Sequence, residues 1–258
     1  MTDPRILPLE GVENFRDYGG YAVRGGRVAS GQLFRAAHQA RATPADLAVM
    51  ADLKLAIVVD LRRPRERDND PSLRHEGFAA QVIQCDLGDQ TEAPHVAFLR
   101  ETDLTPESAR AFFLDYYDKA PFEPRHQELF GRYFAALAKD EGPVLIHCTA
   151  GKDRTGLLAA LTHHVLGVHD DDIRADYLLT NLAARVDARL PMITQALEAS
   201  LGKRPSETAV RAFLGVEASY LDAAFASIQA RSGSIEAYLD AIGADAATRE
   251  AIRARLIV

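Results

Sequence analysis

The sequence predicts an α/β protein with a central, mostly parallel sheet that is flanked by helices. Short β-branched runs alternate with amphipathic segments of helical length, and this order favours parallel strands joined by crossover helices. The last third of the chain shows helical patterning only, so a helical C-terminal part is expected. With 258 residues, 47% of them hydrophobic, the chain can build one large core, and we predict a single domain over residues 1–258.

The N-terminal segment predicts a β-hairpin and then a helix. Gly19-Gly20 and Gly25-Gly26 flank four residues, a spacing typical of a small hairpin ahead of the main sheet. Farther along, Thr43 is a good N-cap and Pro44 suits the first helical position. Apolar residues then recur at helical spacing toward Lys54, so we expect a helix that packs one face on the core.

Three segments predict strands of the main sheet, at residues 55–61, 80–85 and 143–147, and the first of them is a short β-branched apolar run. Asp60 is placed at the carboxyl end of the first run. Helices are predicted over residues 105–117, 124–139 and 155–166, and from Asp170 to the end of the chain. The helix at 105–117 carries an aromatic face, which predicts either core packing or a wall over a site.

Charge and cysteine content limit the classes of function. A net charge of -7 argues against a surface that binds nucleic acid, because neutralising backbone phosphates requires excess Lys and Arg. Two cysteines, Cys85 and Cys148, cannot form a disulfide framework or a structural zinc site alone. We expect no cofactor and no metal. Neither a Sec-type leader nor a membrane span is indicated, which predicts a cytoplasmic protein; secretion without a cleavable leader stays open.

The segment from His147 to Gly156 carries the predicted chemistry. It lies between an apolar strand and an apolar helix, where successive N–H groups converge and the helix N-terminus adds partial positive charge. We therefore expect a cradle for phosphate or another oxyanion. Its predicted lining is Thr149, Ala150, Gly151, Lys152 and Thr155.

Within this loop, the residue types favour nucleophilic catalysis on a phosphoryl group. The N–H groups that bind an anion also stabilise a thiolate, so Cys148 is the predicted nucleophile. Arg154, six residues later, can offer a planar fork to two phosphoryl oxygens. The Thr155 hydroxyl can donate to the sulfur, and His147 is expected to bind the loop backbone rather than act as a base.

The leaving oxygen needs a proton, and Asp153 is the first choice because it lies inside the loop. The alternatives are Asp60, Asp86, Asp89, Asp115 and Asp118. Lys152 supplies a second cation and favours a substrate with more than one phosphate. The charged residues 62–67 predict a solvated, self-neutralising run, from which Arg63 can approach the substrate.

The Cys-x-x-x-x-x-Arg loop resembles that of the protein tyrosine phosphatase superfamily, and its Gly-Lys-Asp-Arg-Thr-Gly ending resembles the atypical bacterial tyrosine and lipid phosphatases. Further stretches resemble landmarks of that family in order, so the likeness covers nearly the whole chain. They lie at residues 14–17, 31–35, 60–62, 175–178, 214–216 and 220–221.

The resemblance implies a phosphatase acting on phosphotyrosine, on phosphoserine or phosphothreonine, and on phosphoinositides. It implies Cys148 as nucleophile, Arg154 as phosphate clamp and Asp153 as acid, under a helical lid whose aromatic face is residues 112–117. Two other hypotheses stay open. A rhodanese-like sulfurtransferase also cradles an anion around a cysteine, and a non-catalytic protein could bind phosphorylated ligands. Cys85 is interpreted as a core residue, with a protective disulfide to Cys148 as the alternative.

Overall fold

The computed structural model describes residues 3–87, 93–139, 142–202 and 204–258. Within these ranges the strands are β1 (Arg16–Asp17), β2 (Ala22–Val23), β3 (Gly26–Arg27), β4 (Leu33–Ala36), β5 (Ile57–Asp60), β6 (Gln81–Ile83) and β7 (Val144–His147). The hairpin expected at the start is confirmed, since β2 and β3 pair antiparallel.

The main sheet has the strand order β1-β4-β7-β5-β6, and all its pairings are parallel except that of β1 with β4. β7 lies at the centre and is wholly buried. Its last residue, His147, is in register with Ala36 of β4 and with Asp60 of β5. The carboxyl ends of three parallel strands therefore share one edge, and the loop from Cys148 starts there. The predicted mostly parallel sheet is confirmed.

β4 was not predicted, although it is a neighbour of the central strand. Its sequence is Leu-Phe-Arg-Ala, and Arg35 interrupts the apolar run that signals a buried strand. All four residues are nevertheless buried. Burial of this arginine is possible because Asp176 pairs with it from a distant part of the chain.

Helices cover the sheet and build the C-terminal part of the chain. They are α1 (Pro44–Asp52), α2 (Pro64–Asn69), α3 (Pro94–Glu101), α4 (Pro106–Lys119), α5 (Pro124–Leu137), α6 (Asp153–Leu166), α7 (Asp170–Leu178), α8 (Thr180–Ala183), α9 (Val186–Leu201), α10 (Glu207–Leu214), α11 (Ala218–Ser232), α12 (Ile235–Ala241) and α13 (Ala246–Leu256). None of these described helices has both the length and the apolar character that crossing a bilayer requires.

Local sequence signals place several helix starts as expected. The Thr43 side chain accepts a hydrogen bond from the Asp46 amide at the start of α1, and Thr105 caps α4 in the same way. α6, which follows the loop, is buried along nearly its whole length. A helix buried in this way holds the loop that precedes it firmly against the sheet.

Candidate active site

The loop after β7 has a run of backbone amides that find no partner among the described residues. In the described part of the protein, no group accepts a hydrogen bond from the N–H groups of residues 149–154. The carbonyls of this loop are bound instead: Thr149 accepts from the His38 amide at 3.2 Å, and Gly151 accepts from the Asn14 side chain at 2.7 Å. Because a trans peptide points its N–H away from its C=O, the following amides face the opposite side. The loop thus has the form of an anion cradle.

Buried charges beneath the loop hold these carbonyls in place. Arg35 donates to the Gly151 carbonyl at 3.1 Å and to Asp176 at 2.8 Å. Asp176 also pairs with Arg16, and the carboxylate and both guanidiniums have almost no exposure. Burial opposes ionisation of Asp176, but Arg16 and Arg35 outweigh it and lower its pKa. Asn14, Arg16, Arg35 and Asp176 belong to the stretches that resemble family landmarks, and their shared task is to support the loop.

Gly151 is the residue that lets the loop approach β4. Its φ is +64°, and a Cβ at this position would lie 2.4 Å from the carbonyl carbon and oxygen of Ala36. Any side chain would therefore push the loop off the strand. This close approach of the backbone is the physical reason for a glycine at position 151.

Arg154 extends into the pocket and is held by a carboxylate that sequence analysis did not single out. Its two terminal nitrogens lie 2.6 and 2.7 Å from the oxygens of Glu66, and it also donates to the Leu61 carbonyl at 3.1 Å. Glu66 further accepts from Thr149. Burial opposes the charged form of Glu66, but Arg154 outweighs it and lowers its pKa. The guanidinium fork is therefore oriented before any ligand arrives.

A local signal for Glu66 exists in the sequence. Glu66 stands three residues after Arg63, with Pro64 between them. Its carboxylate accepts a hydrogen bond of 2.8 Å from the Arg63 amide at the start of α2. This is the spacing of a capping box just after a strand. The prediction of a solvated charge run at residues 62–67 is therefore wrong, because Arg62 and Glu66 form ion pairs that are largely buried, with Asp60 and Arg154 respectively.

Asp153 and Cys148 line the same pocket as Arg154. Asp153 Oδ1 accepts a hydrogen bond of 3.1 Å from the Tyr117 hydroxyl. Thr149, Ala150, Lys152 and Arg63 also belong to this lining, and the Arg63 guanidinium pairs with Glu123. The structure therefore brings most of the predicted site residues together around one cavity.

Lys152 does not present a free ammonium to the cavity. Its Nζ lies 2.8 Å from the Phe213 carbonyl and 3.1 Å from the Gly215 carbonyl, at the C-terminal end of α10. It also sits 3.9 Å above the Phe113 ring. A helix C-terminus and an aromatic face both attract a cation, so this contact ties the loop to α10.

Four of the predicted site residues are not in the cavity lining, namely Gly151, Thr155, Asp60 and His147. The Thr155 hydroxyl is buried and has no hydrogen-bond partner. Burial lowers the pKa of His147 to about 4, so its ring is neutral, and Nδ1 lies 3.4 Å from the Cys148 carbonyl. Burial opposes ionisation of Asp60, but the charge interaction with His147 and the bonds from Arg62 outweigh it and lower the pKa of Asp60 to about 2.

The other acids proposed as alternatives lie elsewhere. Asp86 and Asp115 are largely exposed and pair with Arg67 and Lys119, respectively. Asp118 is half-exposed and pairs with Arg231. Asp89 lies outside the described residues. Among the described candidates, Asp153 is the carboxyl group in the lining of the cavity that Cys148 shares.

Helices close the cavity on its remaining sides, as the expected helical lid requires. α4 contributes Phe112, Phe113 and Tyr116, and α10 contributes Phe213. His95 of α3 and Arg189 of α9 also line the cavity, and sequence analysis named neither. The aromatic stripe of α4 both forms a wall of the cavity and packs in the core, because Phe113 and Tyr117 are also core residues.

We expect Asp176→Asn to destabilise the protein by about 3–5 kcal/mol, because it leaves two buried guanidiniums without a counter-charge. Since the folded pKa of Asp176 is lowered, its stabilisation is present above the unfolded pKa of about 3.9 and is lost as pH falls below it. The difference between wild type and variant should shrink accordingly in acid. Urea unfolding from pH 7 to pH 3 measures this.

The control is Asp222→Asn, which removes an exposed partner of Arg174 and should change stability by less than about 1 kcal/mol. If Asp176→Asn is no more destabilising than this control at neutral pH, the buried pair does not support the loop.

A mostly parallel sheet whose carboxyl edge carries a thiol and a guanidinium on one loop, around one cavity, is suited to the chemistry of a phosphatase. Comparison with known proteins gives the particular family. The sequence model of the tyrosine phosphatase family matches residues 7–258, so the chain belongs to that family.

Individual relatives agree with this assignment. The chain is 38% identical over 246 residues to a Cupriavidus necator protein assigned by name to the tyrosine-protein phosphatases, covering 93% of this chain and 85% of the relative. It is 32% identical over 280 residues to the triple specificity protein phosphatase PtpB of Mycobacterium tuberculosis, covering 98% and 99%. A tyrosine-protein phosphatase of Nostoc commune is 28% identical, covering 91% and 77%. The resemblance inferred from the loop and the landmarks is confirmed.

Proposed function

We propose that this chain hydrolyses phosphate monoesters through a cysteinyl-phosphate on Cys148. The observation that carries the proposal is the loop after β7, whose amides at residues 149–154 find no acceptor in the described chain. Amides left unpaired in a structured loop are rare and favour an anionic ligand. Cys148 and Arg154 line the cavity that this loop forms.

In the first step, the Cys148 thiolate attacks phosphorus. A P–S bond forms while the P–O bond to the leaving group breaks, and Asp153 gives its proton to the departing oxygen. The loop amides and the Arg154 fork bind the non-bridging oxygens, which carry the charge in the transition state. To bind these oxygens, the Arg154 guanidinium either releases Glu66 in part or divides its N–H donors between the Glu66 carboxylate and the phosphoryl group.

In the second step, water attacks the phosphoenzyme. The Asp153 carboxylate takes a proton from this water, the P–S bond breaks, and inorganic phosphate forms. The electron pair of that bond returns to sulfur as thiolate. Thr155, whose buried hydroxyl has no other partner, is proposed to donate to the departing sulfur.

The cavity walls favour an aryl phosphate as substrate. Rings from α4 and α10 surround the entry to the loop, so the ring of phosphotyrosine can stack against them while its phosphoryl group reaches Cys148. The name of the Mycobacterium tuberculosis relative supports extending the proposal to phosphoserine and phosphothreonine.

Phosphoinositides are the third proposed substrate class, and Lys152 is the residue proposed to bind their additional phosphate. Its ammonium is engaged with the carbonyls of Phe213 and Gly215. A second phosphate must therefore attract it away from these neutral acceptors, which its charge allows. Activity should be tested on phosphotyrosine peptides, phosphothreonine peptides and phosphoinositide vesicles, with acid quenching and mass spectrometry to locate phosphate on Cys148.

We expect Asp153→Asn to slow esters with poor leaving groups by about 10²-fold or more, and activated esters far less. An amide cannot deliver the proton that a poor leaving group requires. The measurement compares kcat for phenyl phosphate with kcat for 4-nitrophenyl phosphate.

Asp115→Asn is the matched control, because Asp115 is an exposed acid of α4 that pairs with Lys119. It should leave both rates unchanged. Equal slowing of the two esters by Asp153→Asn would move the acid role to another residue.

We further propose that residues 1–258 act as one phosphatase domain in a reducing, cytoplasmic compartment. The family match runs over residues 7–258, which supports a single unit. A catalytic thiolate is readily oxidised, so a reducing environment suits Cys148.

A further inference from the structure

Two buried tyrosines form a hydroxyl chain that ends on Asp153. The Tyr177 hydroxyl of α7 donates to the Tyr117 hydroxyl of α4 at 2.7 Å, and Tyr117 donates to Asp153 Oδ1 at 3.1 Å. Both tyrosines are 0–1% exposed. Tyr117 belongs to the aromatic face that the family resemblance predicts as a lid, whereas its hydroxyl binds the carboxyl group of the candidate acid.

The direction of this chain follows from proton counting. Each hydroxyl has one proton, and burial raises the pKa of both tyrosines well above the usual value, so both stay protonated. Since Tyr177 donates to the Tyr117 oxygen, the single proton of Tyr117 is available for Asp153. Asp153 Oδ1 therefore acts as an acceptor.

A second group makes the two oxygens of Asp153 unequal. The Lys152 ammonium lies 3.7 Å from Oδ1, the same oxygen that Tyr117 binds. An ammonium group cannot accept a hydrogen bond from the proton of a carboxylic acid. Its positive charge also stabilises negative charge on the carboxylate oxygen beside it. When Asp153 is protonated, its proton therefore belongs on Oδ2.

The tyrosines are themselves held rigidly. The rings of Tyr117 and Tyr177 meet edge to face with centroids 6.1 Å apart. A Cβ at Gly156, in the first turn of α6, would lie 2.9 Å from the Tyr177 ring, so this glycine permits the ring to approach the loop. The hydroxyl chain is thus fixed relative to the loop that carries Asp153.

We propose that Tyr117, oriented by Tyr177, is a positioning residue that holds the Asp153 carboxyl group with Oδ2 as the proton-bearing oxygen for the leaving group. The inference rests on the proposed function, in which Asp153 is the acid. Tyr117 is not in the cavity lining, so it acts through Asp153, by restricting rotation of the carboxyl group.

The test is Tyr117→Phe, with kcat and KM measured for phenyl phosphate and 4-nitrophenyl phosphate. Loss of one orienting hydrogen bond should lower kcat for phenyl phosphate by about 5- to 10-fold, with little change for the activated ester and none in KM. In the Asp153→Asn background, Tyr117→Phe should have no further effect. Tyr177→Phe should change the same ratio in the same direction by a smaller factor.

Tyr238→Phe is the matched control, because that buried hydroxyl donates to the Pro121 carbonyl at 2.7 Å, outside the cavity lining. It should lower stability to a similar degree and leave the ratio of the two rates unchanged. Thermal unfolding of all variants identifies any that fail to fold.

Three results would overturn the positioning role: equal slowing of both esters, an unchanged phenyl phosphate rate, or a loss that persists in the Asp153→Asn background. The single variant Asp153→Asn separates this failure from that of the proposed function. If Asp153→Asn slows both esters equally, the acid assignment itself fails. If it shows the leaving-group dependence and Tyr117→Phe does not, only the role of Tyr117 is lost.

Discussion

Cys148→Ser should lower turnover of every phosphate ester by at least about 10⁴-fold while the protein still binds inorganic phosphate. A serine hydroxyl stays protonated at neutral pH, and a nearby base would be needed to activate it. His147 cannot serve, since its ring is buried with a pKa of about 4 and is not in the cavity lining. The loop amides and Arg154 stay in place, so anion binding should survive. Steady-state kinetics and calorimetric titration with phosphate measure the two properties.

Cys85→Ser is the matched control for this variant. Cys85 is the second cysteine of the chain, it is also buried, and its thiol donates to Glu128 at 3.4 Å rather than lining the cavity. Its replacement should leave turnover intact. Turnover by Cys148→Ser that matches Cys85→Ser would reject the cysteinyl-phosphate, whatever the binding data show.

Arg154→Lys should lower kcat/KM by about 10³-fold even though the positive charge is kept. Glu66 already shows which geometry the site requires, since both of its oxygens bind separate nitrogens of Arg154. A lysine offers one nitrogen and cannot span two phosphoryl oxygens in this way. Inhibition by inorganic phosphate should weaken in parallel, because the fork binds product as well as transition state.

Arg132→Lys provides the control, because Arg132 is a half-exposed arginine of α5 paired with Glu128. It should change neither kcat/KM nor phosphate inhibition. An Arg154→Lys enzyme within a few-fold of wild type would mean that the fork does not hold the phosphoryl group, and the amides alone would then have to bind it.

The sequence was sufficient for the parts of the fold that local patterns specify. β5 and β7 are apolar runs rich in β-branched residues, β6 contains Val82 and Ile83, and α1 and α4 begin at threonine caps followed by proline, so each could be predicted from its own residues. β4 could not, because Arg35 breaks its apolar pattern. Its counter-charge, Asp176, is 141 residues away along the chain.

The candidate site also has parts that the local sequence predicts and parts that only the fold determines. The loop motif brought Cys148, Asp153 and Arg154 together as candidates because all three belong to one strand-to-helix turn. Lys152 was predicted correctly as a loop residue, but the end of α10 determines where its ammonium points. Tyr117 was identified as one ring in an aromatic stripe, and only the fold brings its hydroxyl to Asp153 of α6 and Tyr177 of α7.

By itself, the amino-acid sequence determined the family, the mostly parallel sheet and the loop proposed to bind phosphate and carry the nucleophile, because these depend on residues close together in the chain. Only the tertiary structure decided how the groups of the loop are held: Glu66 binds Arg154, Arg35 paired with Asp176 binds Gly151, and Tyr117 binds Asp153. The physical reason is that a buried charge or hydroxyl needs a partner at hydrogen-bond distance. That partner is supplied by whichever distant segment folds against it, which no local pattern records.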